Sequence, residues 1–187
     1  MKLPRLNPQR SAVLLIDFQQ RLLPVMRRRS TVIRRTQRLI EGASILGLPV
    51  VVTEQYPRGL GPTHESISAK LHGAVYTDPK TRFSAFGPSL QQHLEKFEVQ
   101  SVVVAGVEAH VCVLLTCLDL IDAGYTVAVC QDAVSSRRDE DRSAALARMQ
   151  QAGVLPATVE SVLFELMGDA DSPHFKAMRA VIQSDEG

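Results

Sequence analysis

The chain has 187 residues, 45% of them hydrophobic and 22% charged, with a formal net charge of +1. That length suits one domain with a full core, and a near-neutral balance excludes a chain whose overall charge recruits nucleic acid or an acidic surface. Three cysteines at unrelated spacings, Cys112, Cys117 and Cys130, argue against a disulfide framework and for a reducing compartment.

Residues 1–10 lack the apolar core of a secretory signal, and no apolar run is long enough to span a bilayer. The expectation is a cytoplasmic protein without membrane association, one domain over 1–187. The run 12–16 (AVLLI) is continuously apolar, the mark of a strand covered on both faces, and it ends in Asp17. A polar stretch broken by Pro24 follows. Ser30 is then the expected cap of a helix whose apolar face is Ile33, Leu39, Ile40, Ala43 and Leu46, closed by Gly47 and Pro49. Strand two, 50–53, runs into Glu54, Gln55 and Tyr56, and then into Pro57, Gly59, Gly61 and Pro62. That composition predicts an irregular loop.

Thr63 is the expected cap of a short helix carrying Ile67 and Leu71. A weaker third strand, 74–77, is followed at once by Asp78-Pro79-Lys80, and Pro88 suits the first turn of a helix with Leu90, Leu94 and Phe97. Strand four, 101–105, leads through Gly106 to Cys112 into a helix stopped by Gly124. Strand five, 125–130, ends near Asp132. A helix over 139–151, a short strand at 154–155, a helix capped by Thr158 and a last helix from Ser172-Pro173 complete the chain. Strands and helices alternate without internal repeats. The expected fold is α/β: a doubly wound parallel sheet of about six strands with helices on both faces.

In such sheets ligands bind beyond the carboxyl ends of the strands, where the strand order reverses. Strand one delivers Asp17 there, strand two Gln55 and Tyr56, strand three Lys80 and strand four Cys112. Taken singly, each has a plainer role: a cysteine is often a small buried hydrophobe, an aspartate after a strand a turn residue, a lysine after proline a solvated charge. Together they supply a nucleophile, a proton acceptor and a cation on one edge. Cys112 near a helix start should feel the dipole and free N–H groups that favour thiolate. Asp17 would take the thiol proton and Lys80 would stabilise the resulting charge. Backbone N–H groups around Cys112 would hold an oxyanion. Such a set hydrolyses a trigonal carbon through a thioester-type intermediate. Leu22, Gln55, Tyr56, Phe83 and His110 are candidates to line the substrate pocket, although Tyr56 and Phe83 also fit as loop anchors and His110 as a solvent-facing residue at a helix start.

The histidines His64, His72, His93, His110 and His174 are scattered, with no metal-ligand spacing, and there is no GxGxxG or Walker motif. No metal, cofactor or nucleotide is expected. The arginines Arg27, Arg28, Arg29, Arg34, Arg35 and Arg38 read as a solvated helix face rather than a nucleic-acid site. Asp132 and Arg137 are expected to tie down a loop.

Four stretches carry a resemblance: LIDFQ at 15–19, TEQYP at 53–57 with GLG at 59–61, KTRFS at 80–84, and GVEAHVC at 106–112, supported by residues 132–137 and 146–153. In this order and spacing the chain resembles the isochorismatase-like cysteine hydrolases, in particular the isochorismatase-domain-containing subgroup. The resemblance implies an Asp17–Lys80–Cys112 triad. It also implies a cis peptide at Val107–Glu108 that turns the N–H groups of Glu108 and Cys112 into an oxyanion hole. Homo-oligomers, dimers or larger, are implied as well. The metal-using nicotinamidase branch carries an Asp and histidines after strand two, where this chain reads Glu54-Gln55-Tyr56. True isochorismatases lack the nucleophilic cysteine present here. What remains is a hydrolase of a C–N, amide-like bond in a small molecule. The competing reading is a catalytically idle member serving as an oligomeric binding module. A phospho-receiver domain would need an acceptor Asp after strand three and a Lys after strand five, where this chain has Lys80 and Gln131-Asp132.

Overall fold

The structure, a computed structural model, describes residues 4–72 and 75–184. Six parallel strands form one sheet: β1 (Ser11–Ile16), β2 (Val50–Gln55), β3 (Val75–Lys80), β4 (Ser101–Val107), β5 (Thr126–Ser135) and β6 (Leu155–Ala157). Their order is β3-β2-β1-β4-β5-β6, with β1 paired to both β2 and β4. The chain winds outward through β2 and β3 and then returns to the other side of β1. The order therefore reverses between β1 and β4, the strands that end at Asp17 and just before Cys112.

The eight α-helices of the described residues are α1 (Arg29–Leu46), α2 (Pro57–Leu60), α3 (Glu65–Ser68), α4 (Pro88–Lys96), α5 (Leu114–Asp122), α6 (Asp139–Gln151), α7 (Val159–Met167) and α8 (Phe175–Gln183). Strand side chains alternate between two cores. Val13 and Leu15 join Val103 and Ala105 under α1, α7 and α8, through Leu39, Ala43, Val162, Leu163 and Met178. Ala12, Leu14 and Ile16 join Val102 and Val104 under α4, α5 and α6, through Leu90, Leu94, Leu120 and Met149. Both faces of the central strands are buried, which is why β1 and β4 are apolar at every position after their opening serines rather than at every second one. Among the described residues no helix is long and apolar enough to cross a membrane.

Several local expectations are corrected. Helix α1 begins at Arg29 without a side-chain cap, so Ser30 lies inside it. His64, not Thr63, caps α3 by accepting from the Ser66 N–H. The segment after β2 is not wholly irregular: Pro57 at a first helical position, where no N–H is required, seeds the single turn α2. Strand β3 extends through Asp78-Pro79-Lys80, because β3 is an edge strand and a residue without an N–H costs nothing on the unpaired side. Ala74, the expected start of that strand, lies outside the described residues. Strand β5 runs on to Ser135 past a bulge, with Val104 opposite Val129 but Gly106 opposite Val134. The extra length carries Asp132, which accepts from the Val159 N–H at 2.9 Å and pairs with Arg35 at 3.5 Å, tying α7 and α1 to the strand.

Candidate active site

Asp17 follows the last residue of β1 directly, with φ at 56°, in the left-handed region that aspartate tolerates better than most side chains. It is fully buried. Its Oδ1 accepts from the Thr53 hydroxyl at 2.7 Å and its Oδ2 from Lys80 Nζ at 2.8 Å. The register opposes Gln55 to Lys80 on β2 and β3, so Lys80 reaches back across β2 toward the end of β1. Its side chain is only 8% exposed. The ammonium also donates to Gln55 Oε1 at 2.6 Å and to the carbonyls of Phe83 and Arg82 at 3.0 and 3.3 Å. A buried ion pair is tolerable only when its remaining hydrogen-bonding capacity is met, and here it is met on both partners.

Cys112 lies not in the first turn of a regular helix but in a π-helical turn, Ala109–Val113, that precedes α5. Such wide turns recur at functional sites. The sulfur is nearly buried and approaches Gln55 Oε1 at 4.0 Å, the outer limit of a thiol hydrogen bond. The expectation of a thiolate is overturned. Burial, and then the Asp17 carboxylate, push the thiol up to about 12, against an opposing pull from Lys80. The helix-start argument considered only the favourable field. Withdrawal from water and an adjacent anion outweigh it, so the resting group is the neutral thiol.

The loop joining β3 to α4 is pinned to the helix that carries the sulfur. Ser84 Oγ donates to Asp119 at 2.6 Å, the Ala85 N–H to Thr116 Oγ1 at 2.8 Å, and Thr116 Oγ1 in turn to the Cys112 carbonyl at 2.6 Å. The loop whose carbonyls hold Lys80 and the turn that holds Cys112 are therefore joined by one chain of hydrogen bonds. On the other side of the turn, the peptide between Val107 and Glu108 is cis. The buried Glu108 carboxylate accepts from the Arg137 backbone N–H and Nε, both at 3.0 Å. The loop-tying expectation for Arg137 thus acquires its partner. Among the described residues no three His, Cys, Asp or Glu side chains converge as a metal site would require. Glu54 is occupied by the N–H and hydroxyl of Thr63, both at 2.7 Å.

The other pocket candidates are placed differently from one another. Gln55 is at the centre, bonded to Lys80 and facing the thiol. Tyr56 and Phe83, 54% and 58% exposed, stand at the rim. A cavity of about 320 Å³ beside them is lined by Tyr56, Pro57, Arg58, Pro79, Lys80 and Thr81. Leu22 packs half-buried on the core. His110 is engaged on the far side of the turn, with Nδ1 at 3.0 Å from the Ser136 hydroxyl and Nε2 at 3.9 Å from Asp141.

Gly106 fixes how closely β4 can approach β1 beside Asp17. It faces Ile16 in the register, and a Cβ there would sit 2.6 Å from both the Cβ and the carbonyl oxygen of Ile16. Gly106→Ala should therefore push the strands apart at the site and destabilise by about 1–3 kcal/mol. A lowered urea midpoint at unchanged m-value would show it; an unchanged midpoint would mean that the strands have slack.

The isochorismatase domain model matches residues 11–161. The zebrafish (Danio rerio) isochorismatase domain-containing protein 1 is 43% identical over 182 residues, covering 97% of this chain; the chain spans 64% of that relative's length. Among solved structures, one described as the MAR1 ribonuclease of Caenorhabditis elegans superposes with a TM-score of 0.92 at 40% identity, covering 96% of this chain and 92% of that one. The YcaC proteins of Escherichia coli and Pseudomonas aeruginosa each give a TM-score of 0.89 at 26% identity, covering 99% and 98% of this chain and 94% of theirs. The first is described as an octameric hydrolase of unknown specificity, the second with hexane-2,5-diol and covalent acrylamide. With a family model spanning most of its length and a six-stranded parallel sheet that matches these structures, the chain belongs to the isochorismatase family.

Proposed function

We propose that this protein is a cysteine hydrolase that cleaves an amide-like C–N bond of a small molecule, with Cys112, Asp17 and Lys80 as its catalytic residues. The observation that carries the reading is the convergence of a nearly buried thiol on a buried carboxylate–ammonium pair, with Asp17 and Lys80 both close enough to act on the sulfur. In the first half-reaction the thiol proton passes to Asp17 as sulfur attacks the carbonyl carbon. The carbonyl π pair moves onto oxygen, where the N–H groups of Glu108 and Cys112 would receive it. Collapse expels the nitrogen, which takes the proton from Asp17 and leaves an acyl thioester. Water, deprotonated by Asp17, then attacks the thioester and restores the thiol and the acid product. Lys80 stays paired with the Asp17 carboxylate at 2.8 Å and offsets the charge that develops on sulfur. No metal or cofactor takes part in these steps.

The Pseudomonas protein's covalent acrylamide supports the reading, since acrylamide is an electrophile that thiols take up. The octameric Escherichia protein supports a homo-oligomer, and three unpaired thiols support a reducing, cytoplasmic location. The name of the Caenorhabditis structure raises RNA cleavage as a second reading. Against it stands the depth of Asp17 and Lys80, 0% and 8% exposed, which suits a small molecule better than a phosphodiester chain. Cys112→Ala should reduce turnover across a panel of small amides, ureides and carbamoyl compounds by about 10⁴-fold or more while leaving the fold intact. Undiminished turnover in that variant would sink the proposal. RNA cleavage that survives it would favour the second reading, and no turnover by the unaltered protein would favour an idle binding module.

A further inference from the structure

Resting on that reading, we infer that Gln55 is a positioning residue that holds the Lys80 ammonium and the Cys112 thiol in register, rather than a pocket-lining residue that selects substrate. Its amide oxygen is shared: Lys80 Nζ donates to it at 2.6 Å and the thiol approaches it at 4.0 Å. Its amide nitrogen donates to the Thr81 carbonyl at 2.8 Å. Both ends of the side chain are thereby committed to the protein, which leaves little of it to read a substrate.

The backbone of Gln55 is held just as firmly. Its N–H donates to Gln19 Oε1 at 2.8 Å, and its carbonyl accepts from Gln19 Nε2 at 3.0 Å. Gln19 is fully buried, and its Nε2 also donates to the Gly61 carbonyl at 2.6 Å. Strand β1 has ended at Ile16, and the Gln19 side-chain amide supplies the donor and acceptor that a continuing strand would have offered to β2. The ladder is extended by a side chain to the point where Gln55 stands. A group fixed by three elements in this way is preorganised, and preorganisation matters most beside a reacting atom.

The orientation has a chemical consequence. An acceptor between an ammonium and a thiol keeps Lys80 turned toward Asp17 and offers the S–H proton a resting partner. A negative charge at the same place would oppose ionisation of the sulfur. A pocket residue would change KM; a positioning residue changes kcat and the reactivity of the thiol.

The test measures alkylation of Cys112 by iodoacetamide from pH 7 to 10, which needs no substrate, in Gln55→Glu and Gln55→Met. Thermal melts establish that each variant is folded, and the methionine variant serves if the glutamate variant is not. Gln55→Glu should slow alkylation at pH 9 by about tenfold or more, because it places a like charge beside the developing thiolate. Gln55→Met should alter the alkylation rate by at least about threefold, and should lower kcat by about tenfold with KM within about threefold on any amide that the unaltered protein hydrolyses. Alkylation profiles that superpose on the unaltered protein's in a folded variant, or an effect confined to KM, would overturn the inference. The hydrolase reading would be untouched by that result, since it stands or falls on Cys112→Ala.

Discussion

Replacing Asp17 with asparagine should make Cys112 easier to alkylate and the enzyme nearly inactive. A thiol pushed up to about 12 by burial and the adjacent carboxylate is protonated at neutral pH, so in the proposed mechanism turnover depends on a base that removes the proton as sulfur attacks. Asp17 is that base in the proposed mechanism, and its loss should lower kcat by about 10²–10⁴-fold. The same carboxylate is one cause of the raised thiol, while Lys80 pulls the other way. Asparagine removes the anion and leaves the cation. The thiol must then shift down, though burial still holds it above the free value, and iodoacetamide should react about tenfold faster at pH 8. Asparagine is close to isosteric and can still accept from Thr53, and the ammonium keeps Gln55 and the carbonyls of Arg82 and Phe83 as acceptors, so the variant should still fold, although it too loses stability through the unpaired Lys80 charge. Reactivity and activity falling together would show that Asp17 acts only by shaping the site.

Lys80→Met should have the largest effect on stability. Asp17 is 0% exposed, and the ammonium is its cationic partner at 2.8 Å. Removing one member of a buried pair leaves the other charge uncompensated, which typically costs about 3–5 kcal/mol. The thiol loses the favourable charge of Lys80 and should become harder to alkylate, the opposite of Asp17→Asn. Urea denaturation measures the first effect and iodoacetamide the second. A variant with unaltered stability would contradict the reading of Asp17 and Lys80 as a buried pair whose charges compensate each other.

Two residues of the proposed triad, Asp17 and Cys112, were legible in the chain because each follows an apolar run that reads as a buried strand. Asp17 follows AVLLI directly, and Cys112 follows SVVVA by one short turn. Parallel topology then carries such ends to one edge. Lys80 was less secure. Pro79 argued against a strand at that point, and only the edge position of β3, a tertiary fact, removes the objection. The role of Gln55 and the clamp from Gln19 were not legible, because both depend on how far β2 extends past the end of β1, which apolar patterning does not report. Glu108 could be named as a donor, but its Arg137 partner is 29 residues away across the bulge in β5. The charge state of Cys112 was misread for a similar reason. The field of a helix start can be inferred from local sequence, whereas burial and an anion delivered by another strand cannot. In the proposed mechanism, the thiol's neutrality in turn makes Asp17 a necessary base rather than an accessory one.

The central claim is that an acyl group is carried on the Cys112 sulfur, and mass spectrometry of the quenched enzyme tests it most directly. Acid quenching during turnover of any substrate found in the amide panel should trap protein heavier by the mass of the acyl fragment. Peptide mapping should place that mass on Cys112 and not on Cys117 or Cys130. Turnover at full rate with no mass increase on Cys112, or with the increase on another residue, would contradict the account.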